Sequence, residues 1–148
     1  MAKFTYHLQK VLDLKEKETE QARWALGKSL QKKEEEEKKL DRLTERRNRL
    51  TDYLFEVQDQ ACSAAQLIEI SRYRQVMDRA IDQQLVAIHG CELEAERHKV
   101  ILTERMRESQ LWQKLRERSQ EQFQYAESVK EQKELDEIGL IRYIRRSN

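Results

Sequence analysis

The sequence predicts an all-α protein in which two long helices fold back on each other as an antiparallel coiled-coil hairpin, with the second helix longer than the first and overhanging it. Three observations carry this. Of 148 residues, 38% are hydrophobic and 39% charged, a balance that cannot fill a thick core and suits either disorder or long helices meeting along a narrow apolar seam. The chain has no proline, and its only glycines are Gly27, Gly90 and Gly139. Disordered chains are commonly proline-rich, whereas here almost nothing interrupts helix propagation. The third observation is periodicity. Steps alternating between four and three residues run through Leu8, Leu12, Lys15, Thr19, Ala22, Leu26, Ser29, Lys33, Glu36, Leu40, Leu43, Arg47, Leu50, Leu54, Val57, Ala61 and Ala64. Most of these positions are apolar and the register holds for about eight heptads, which marks a coiled-coil seam.

The first helix is expected over about 4–58. Its seam is dense from Leu40 to Val57, so stability is expected to concentrate there, and thin at Ser29, Lys33 and Glu36. The thin stretch overlaps KKEEEEKK, where Glu34 and Glu35 each have a lysine four residues on. Such pairs hold a solvated helix face by roughly 0.2–0.5 kcal/mol each. A reversal is expected over about 59–65, where QDQACSAA lacks long apolar side chains and offers Asp59 and Ser63 as turn or cap residues. The second helix follows over about 66–138, with a seam through Met77, Ile81, Gln84, Ile88, Cys91, Ala95, His98 and Leu102. Beyond Leu102 the pattern blurs, because Leu111, Trp112, Leu115, Phe123, Tyr125 and Val129 share no register. The whole chain, 1–148, reads as one coiled-coil domain ending in a short basic tail.

At 1.5 Å per residue the helices would be about 80 and 110 Å long. A turn near residue 63 sets Leu54 near Tyr73, Leu26 near Ile101 and Leu8 near Ser119, and leaves everything past roughly Gln122 without an intramolecular partner. Phe123, Tyr125, Val129, Leu135, Ile138, Leu140, Ile141 and Ile144 lie in that overhang. So many large apolar groups imply docking on another protein.

Several functions are disfavoured. Lys and Arg number 29 against 28 Asp and Glu, so no global field would hold a polyanion, and no nucleic-acid partner is expected. The N-terminus is too polar for a signal peptide and no stretch approaches the roughly 18 apolar residues that span a bilayer. A cytoplasmic location is therefore expected, with Cys62 and Cys91 reduced and serving as small apolar residues. No phosphate-cradling glycine loop or nucleophile elbow is present. His7, His89 and His98 lie far apart in sequence, and Cys91 with His98 falls short of a ligand set. No catalytic residue, cofactor or metal is expected, and the chain reads as a non-enzyme.

Two surfaces stand out. Arg42, Arg46, Arg49 and Tyr53 fall on one flank of the first seam, either as a solubilising edge or as a partner-binding stripe of the composition that interface hot spots favour. The parallel stripe on the second helix is Val76, Ala80, Gln83 and Ala87. The other surface is the tail IGLIRYIRRSN, a basic amphipathic end that could fray, lie on a membrane surface or bind acidic protein.

The opening Phe4, Tyr6, Leu8, Gln9, Lys10, Val11, Leu12, Asp13, Leu14, Lys15, Glu16 resembles the start of the FliJ family of flagellar export proteins from Bacillus-like bacteria. Lys133, Glu134, Leu135, Asp136, Glu137 and Ile138 are similar to a KEMDEI-like stretch near that family's C-terminus, and Tyr73 with Gln75 to residues early in its second helix. Val76 departs from the pattern, standing where the family often carries an aromatic residue. The resemblance implies a non-catalytic coiled coil, similar to the central stalk of rotary ATP synthases. It implies binding to the hexameric export ATPase through the end that carries both termini, here Leu8, Leu12, Phe123, Val129, Leu135 and Ile138. It further implies contact with the cytoplasmic domain of the membrane export gate near the reversal, through Arg42, Arg46, Arg49, Tyr53, Val76 and Ala80, and escort of export chaperones. The protein would then sit at the inner face of the cell membrane through the export apparatus and be a monomer when isolated. The rival reading is a structural scaffold in which two chains pair along both helices, with no flagellar role.

Overall fold

The computed structural model describes residues 2–60 and 63–147. Ala61 of the expected seam and Cys62 lie outside the described residues. Two helices, α1 (Gln9–Asp59) and α2 (Ala64–Ser147), make up the regular structure of the described residues, with no strand among them, and they pack against each other as a helical hairpin. Helix α1 starts after a short non-helical segment, where the Gln9 amide donates to the Tyr6 carbonyl at 3.1 Å. Ser63 caps α2: its hydroxyl accepts the Gln66 amide at 3.3 Å and its carbonyl accepts the Leu67 amide at 3.3 Å. Ser63 and Gln66 have the spacing of a capping box, which starts the second helix at Ala64. At the far end Arg145 and Arg146 occupy the last turn, where positive charge complements the helix dipole. The Ser147 hydroxyl donates to the carbonyls of Tyr143 and Ile144, both at 3.1 Å. The helix therefore continues through the segment read as a tail.

The chain divides into two compact units, one formed by Gln21–Leu102 and the other by Met1–Glu20 with Thr103–Asn148. In the first, Lys33 Nζ approaches Glu92 at 4.0 Å, the Gln84 amide donates to the Glu36 carbonyl at 2.8 Å and to its carboxylate, and Arg47 pairs with Asp78. Partners on α2 descend as positions on α1 ascend, so the helices are antiparallel. The Gln84 and Lys39 donors hold the Glu36 carboxyl below its ordinary range. Apart from Ala64, which is exposed at the start of α2, every described seam position of the two helices in this unit is buried or half-buried, with Ala22, Ser29, Met77, Ile88, Cys91 and Ala95 buried outright.

In the second unit the two segments are also antiparallel. Lys15 pairs with Glu108 at 3.1 Å, Arg105 with Glu18 at 3.3 Å, and Arg116 Nε donates to Gln9 Oε1 at 3.1 Å. The Thr19 hydroxyl is shared between the Lys15 carbonyl at 2.9 Å and the Arg105 carbonyl at 3.2 Å, which satisfies a side chain that is itself buried. The ring of Phe4 meets that of Phe123 at 5.4 Å with a tilt of 52°, and Tyr6 and Leu12 are buried.

Three expectations change. Arg47 meets Asp78 and Thr19 meets Arg105, where a turn centred near residue 63 would have set them against Ala80 and Glu108. The capped α2 begins earlier than expected, and at these two positions the pairing is displaced by two and three residues, a little under one helical turn. The seam also does not end at Leu102. Arg105, Ser109, Trp112, Arg116, Ser119 and Phe123 continue the same steps of three and four, and all are buried or half-buried. Polar side chains carry it there, so apolar periodicity alone loses it. Finally, Leu40, Leu43, Leu50, Leu54 and Val57 are only half-buried, whereas the buried residues of α1 are Leu12, Thr19, Ala22 and Ser29. A lone partner helix covers a large side chain from one direction only, whereas Thr19, Ala22 and Ser29 are small enough to be covered by it.

Candidate functional site

The first candidate surface belongs to the unit Gln21–Leu102. Arg42, Arg46, Arg49 and Tyr53 are all exposed. Each precedes a seam residue by one position, and Val76, Ala80, Gln83 and Ala87 stand in the same relation to the seam of α2. A two-fold perpendicular to both axes relates antiparallel helices, so equal offsets from the seam fall on the same flank of the pair. The pairing therefore brings both stripes to one face. Val76 is exposed and Ala80 half-buried. Lys39, Arg42 and Arg46 rim a groove of about 280 Å³ that Leu43 and Gln84 complete. Arg49 is tied to Glu45 on its own helix, which leaves Arg42 and Arg46 as the cations free of that contact. The face is basic, open and lined with an aromatic at one end.

The second candidate surface belongs to the other unit. Leu12 is only 3% exposed, so its side chain holds the helix pair together and does not face outward. Leu8, Phe123 and Val129 are half-buried, Phe123 against Phe4. Leu135 at 62% and Ile138 at 49% are exposed. From Lys130 to Ser147 every residue of α2 is exposed, including Leu140, Ile141, Tyr143 and Ile144. The unpaired stretch thus begins several residues beyond Gln122, because Phe4 reaches across to cover Phe123. The six residues predicted for this end fall into an inner set that builds the pair and an outer set that faces solvent.

The sequence reading missed an ion-pair cluster in which Lys15 and Arg105 each contact both Glu18 and Glu108. The Lys15 ammonium beside Glu108 depresses that carboxyl, and Glu108 in turn raises the Lys15 ammonium. The signal available was the run of opposite charges at the expected pairing, displaced by a little under one turn. Also unread was an apolar groove on α2 between Leu93, Glu96, Arg97, Val100 and Ile101. Cys91 is buried in the seam and His98 half-buried beside Glu94 at 3.9 Å. Among the described residues no group of three His, Cys, Asp or Glu could hold a metal, and no helix is long and apolar enough to cross a membrane.

Two antiparallel helices whose distinguishing features are outward-facing stripes define a coiled-coil hairpin protein. The flagellar FliJ protein family matches residues 4–148, and the chain belongs to that family, which makes it a component of the type III export apparatus. A solved structure described as a YscO homologue of Chlamydia trachomatis is similar to it with a TM-score of 0.70 and 20% sequence identity, covering 99% of each chain. No curated protein matches it.

Proposed function

We propose that this protein is a non-catalytic, stalk-like partner of the hexameric flagellar export ATPase, linking it to the cytoplasmic domain of the export gate and to export chaperones. The observation that carries the reading is the set of solvent-exposed apolar side chains on the final turns of α2, Leu135 and Ile138 among them. An isolated helix has no means of burying them, and a contiguous exposed apolar surface of this kind marks a protein-binding site. Leu8, Leu12, Phe123 and Val129 hold the base from which those turns project. The basic face with Arg42, Arg46, Arg49, Tyr53, Val76 and Ala80 supplies a second docking surface, assigned to the gate. A ligand shifts the equilibrium of a ring only through contacts that differ between the ring's states, so stimulation of the ATPase requires these turns to touch it.

The test is truncation after Lys130, which keeps the Phe4–Phe123 contact. The shortened protein is expected to retain its helical pairing, by circular dichroism and thermal melting, and to lose stimulation of a purified flagellar export ATPase. Full stimulation by the truncated chain would overturn the reading.

A further inference from the structure

The last turns of α2 carry a pattern that docking on a ring does not require. Glu134, Ile138, Ile141 and Arg145 follow one another at spacings of four, three and four, which places them on a single stripe of the helix. The stripe has an acid at one end, a base at the other and two isoleucines between. All four residues are exposed, Ile138 at 49% and Ile141 at 52%, and neither Glu134 nor Arg145 forms an ion pair among the described residues. The surroundings repeat the polarity. Glu131, Asp136 and Glu137 precede Gly139, with Lys133 the exception, and Arg142 and Arg146 follow it.

We infer that this stripe pairs with the same stripe of a second copy of the chain, running antiparallel. A two-fold at the level of Gly139 and Leu140 sets Glu134 of each copy against Arg145 of the other, and Ile138 against Ile141. Every charged position of the stripe then meets its opposite, and both isoleucine pairs leave water. A parallel pairing in register would set Glu134 on Glu134 and Arg145 on Arg145, so the charge pattern selects the antiparallel arrangement. The contact spans about three helical turns and is smaller than the roughly 1,200 Å² at which stable interfaces begin. The dimer is accordingly weak, absent in dilute protein and formed on concentration, and it weakens with salt because its charge pairs are exposed. The self-pairing stands apart from the ring reading. One consequence does rest on that reading: the stripe includes Ile138, so a copy engaged with its twin cannot dock that residue on the ATPase, and self-association would hold the free protein off the ring.

The experiment is sedimentation of the full-length protein over a range of concentrations at low and high salt. The wild type is expected to shift from monomer to dimer with concentration at low salt. Glu134→Arg makes the stripe basic at both ends and Arg145→Glu makes it acidic at both ends, so each variant alone should associate roughly tenfold less tightly, two attractive pairs having become repulsive. An equimolar mixture of the two variants should recover a heterodimer. Because the stripe is exposed, all variants should keep wild-type helix content. A wild type that stays monomeric at every concentration, a dimer indifferent to both reversals, or a mixture that fails to associate would each overturn the proposal. So would a monomeric wild type that instead binds vesicles of anionic lipid through the same turns. None of these outcomes depends on the ATPase, so a failed dimer and a failed ring contact are told apart.

Discussion

Glu108 shows how single residues act in a seam with little apolar surface. Its carboxylate takes a hydrogen bond from Lys15 at 3.1 Å and lies 3.6 Å from Arg105, and these contacts hold it below its ordinary value of 4.5. A carboxyl lowered on folding contributes stability above its unfolded pKa and loses that contribution as the pH falls through the folded one. Lys15 behaves in the opposite sense. Raised above 10.5 by the same contact, it contributes below that value and loses its contribution as the pH climbs through the raised pKa. Comparing thermal melts of the wild type and Glu108→Gln from pH 7 downward should therefore show the variant less stable at neutrality, with the gap closing as the pH falls below the ordinary carboxyl value of 4.5 and through the lowered one. A gap independent of pH would mean that Glu108 matters through packing and not through charge. Lys15 was legible from sequence as a seam position. Its partner was not, because the pairing depends on where the reversal falls, and a shift of a little under one turn exchanges every cross-helix contact.

For the helices as elements, the decisive quantity is how completely a partner covers each seam position. Leu12 is 3% exposed while Leu50 is half-buried. Leu12→Ala should cost about 2–4 kcal/mol, within the range for removing a buried leucine, and Leu50→Ala clearly less, since part of its side chain is already in water. Equal losses in chemical denaturation would show the two positions to be equally enclosed. The helices and their seam were readable through Leu102, since apolar residues at steps of three and four leave a trace that charge cannot mask. The continuation through Arg105, Ser109, Arg116 and Ser119 was not readable. Arg105 enters the interface through an ion pair to Glu18 and Arg116 through a hydrogen bond to Gln9, and polar residues on a helix face look alike in sequence whether they meet a partner or solvent. The start of α1 at Gln9 was hidden for a related reason. Phe4, Tyr6 and Leu8 fit helical spacing as well as they fit the segment that packs Phe4 on Phe123.

At the scale of the whole molecule, the two candidate faces differ in how far sequence could define them. The apolar turns after Lys130 were visible as residues with no partner to pair with, an argument from length alone. The basic face was visible as two stripes on separate helices, and only antiparallel pairing places Arg42, Arg46, Arg49 and Tyr53 beside Val76 and Ala80. Sequence left open whether such a stripe binds or merely solubilises. Geometry favours binding: Arg42 and Arg46 rim a groove next to Gln84, and Tyr53 stays exposed although a half-buried seam neighbour, Leu54, lies beside it. A solubilising edge needs neither a groove nor an aromatic, whereas Arg and Tyr are the residues through which interfaces gain most of their affinity. Arg46→Ala combined with Tyr53→Ala removes one of each without touching a seam position. The double variant should keep its helix content and melting temperature, and should lose about 2 kcal/mol or more of affinity for the cytoplasmic domain of the export gate, roughly a thirtyfold rise in Kd by calorimetry. ATPase stimulation should be unaffected, since that contact is assigned to the turns after Lys130. Unchanged gate binding in a folded double variant would reduce the stripe to a solubilising edge, and a loss of ATPase stimulation would show that the two faces had been assigned to the wrong partners.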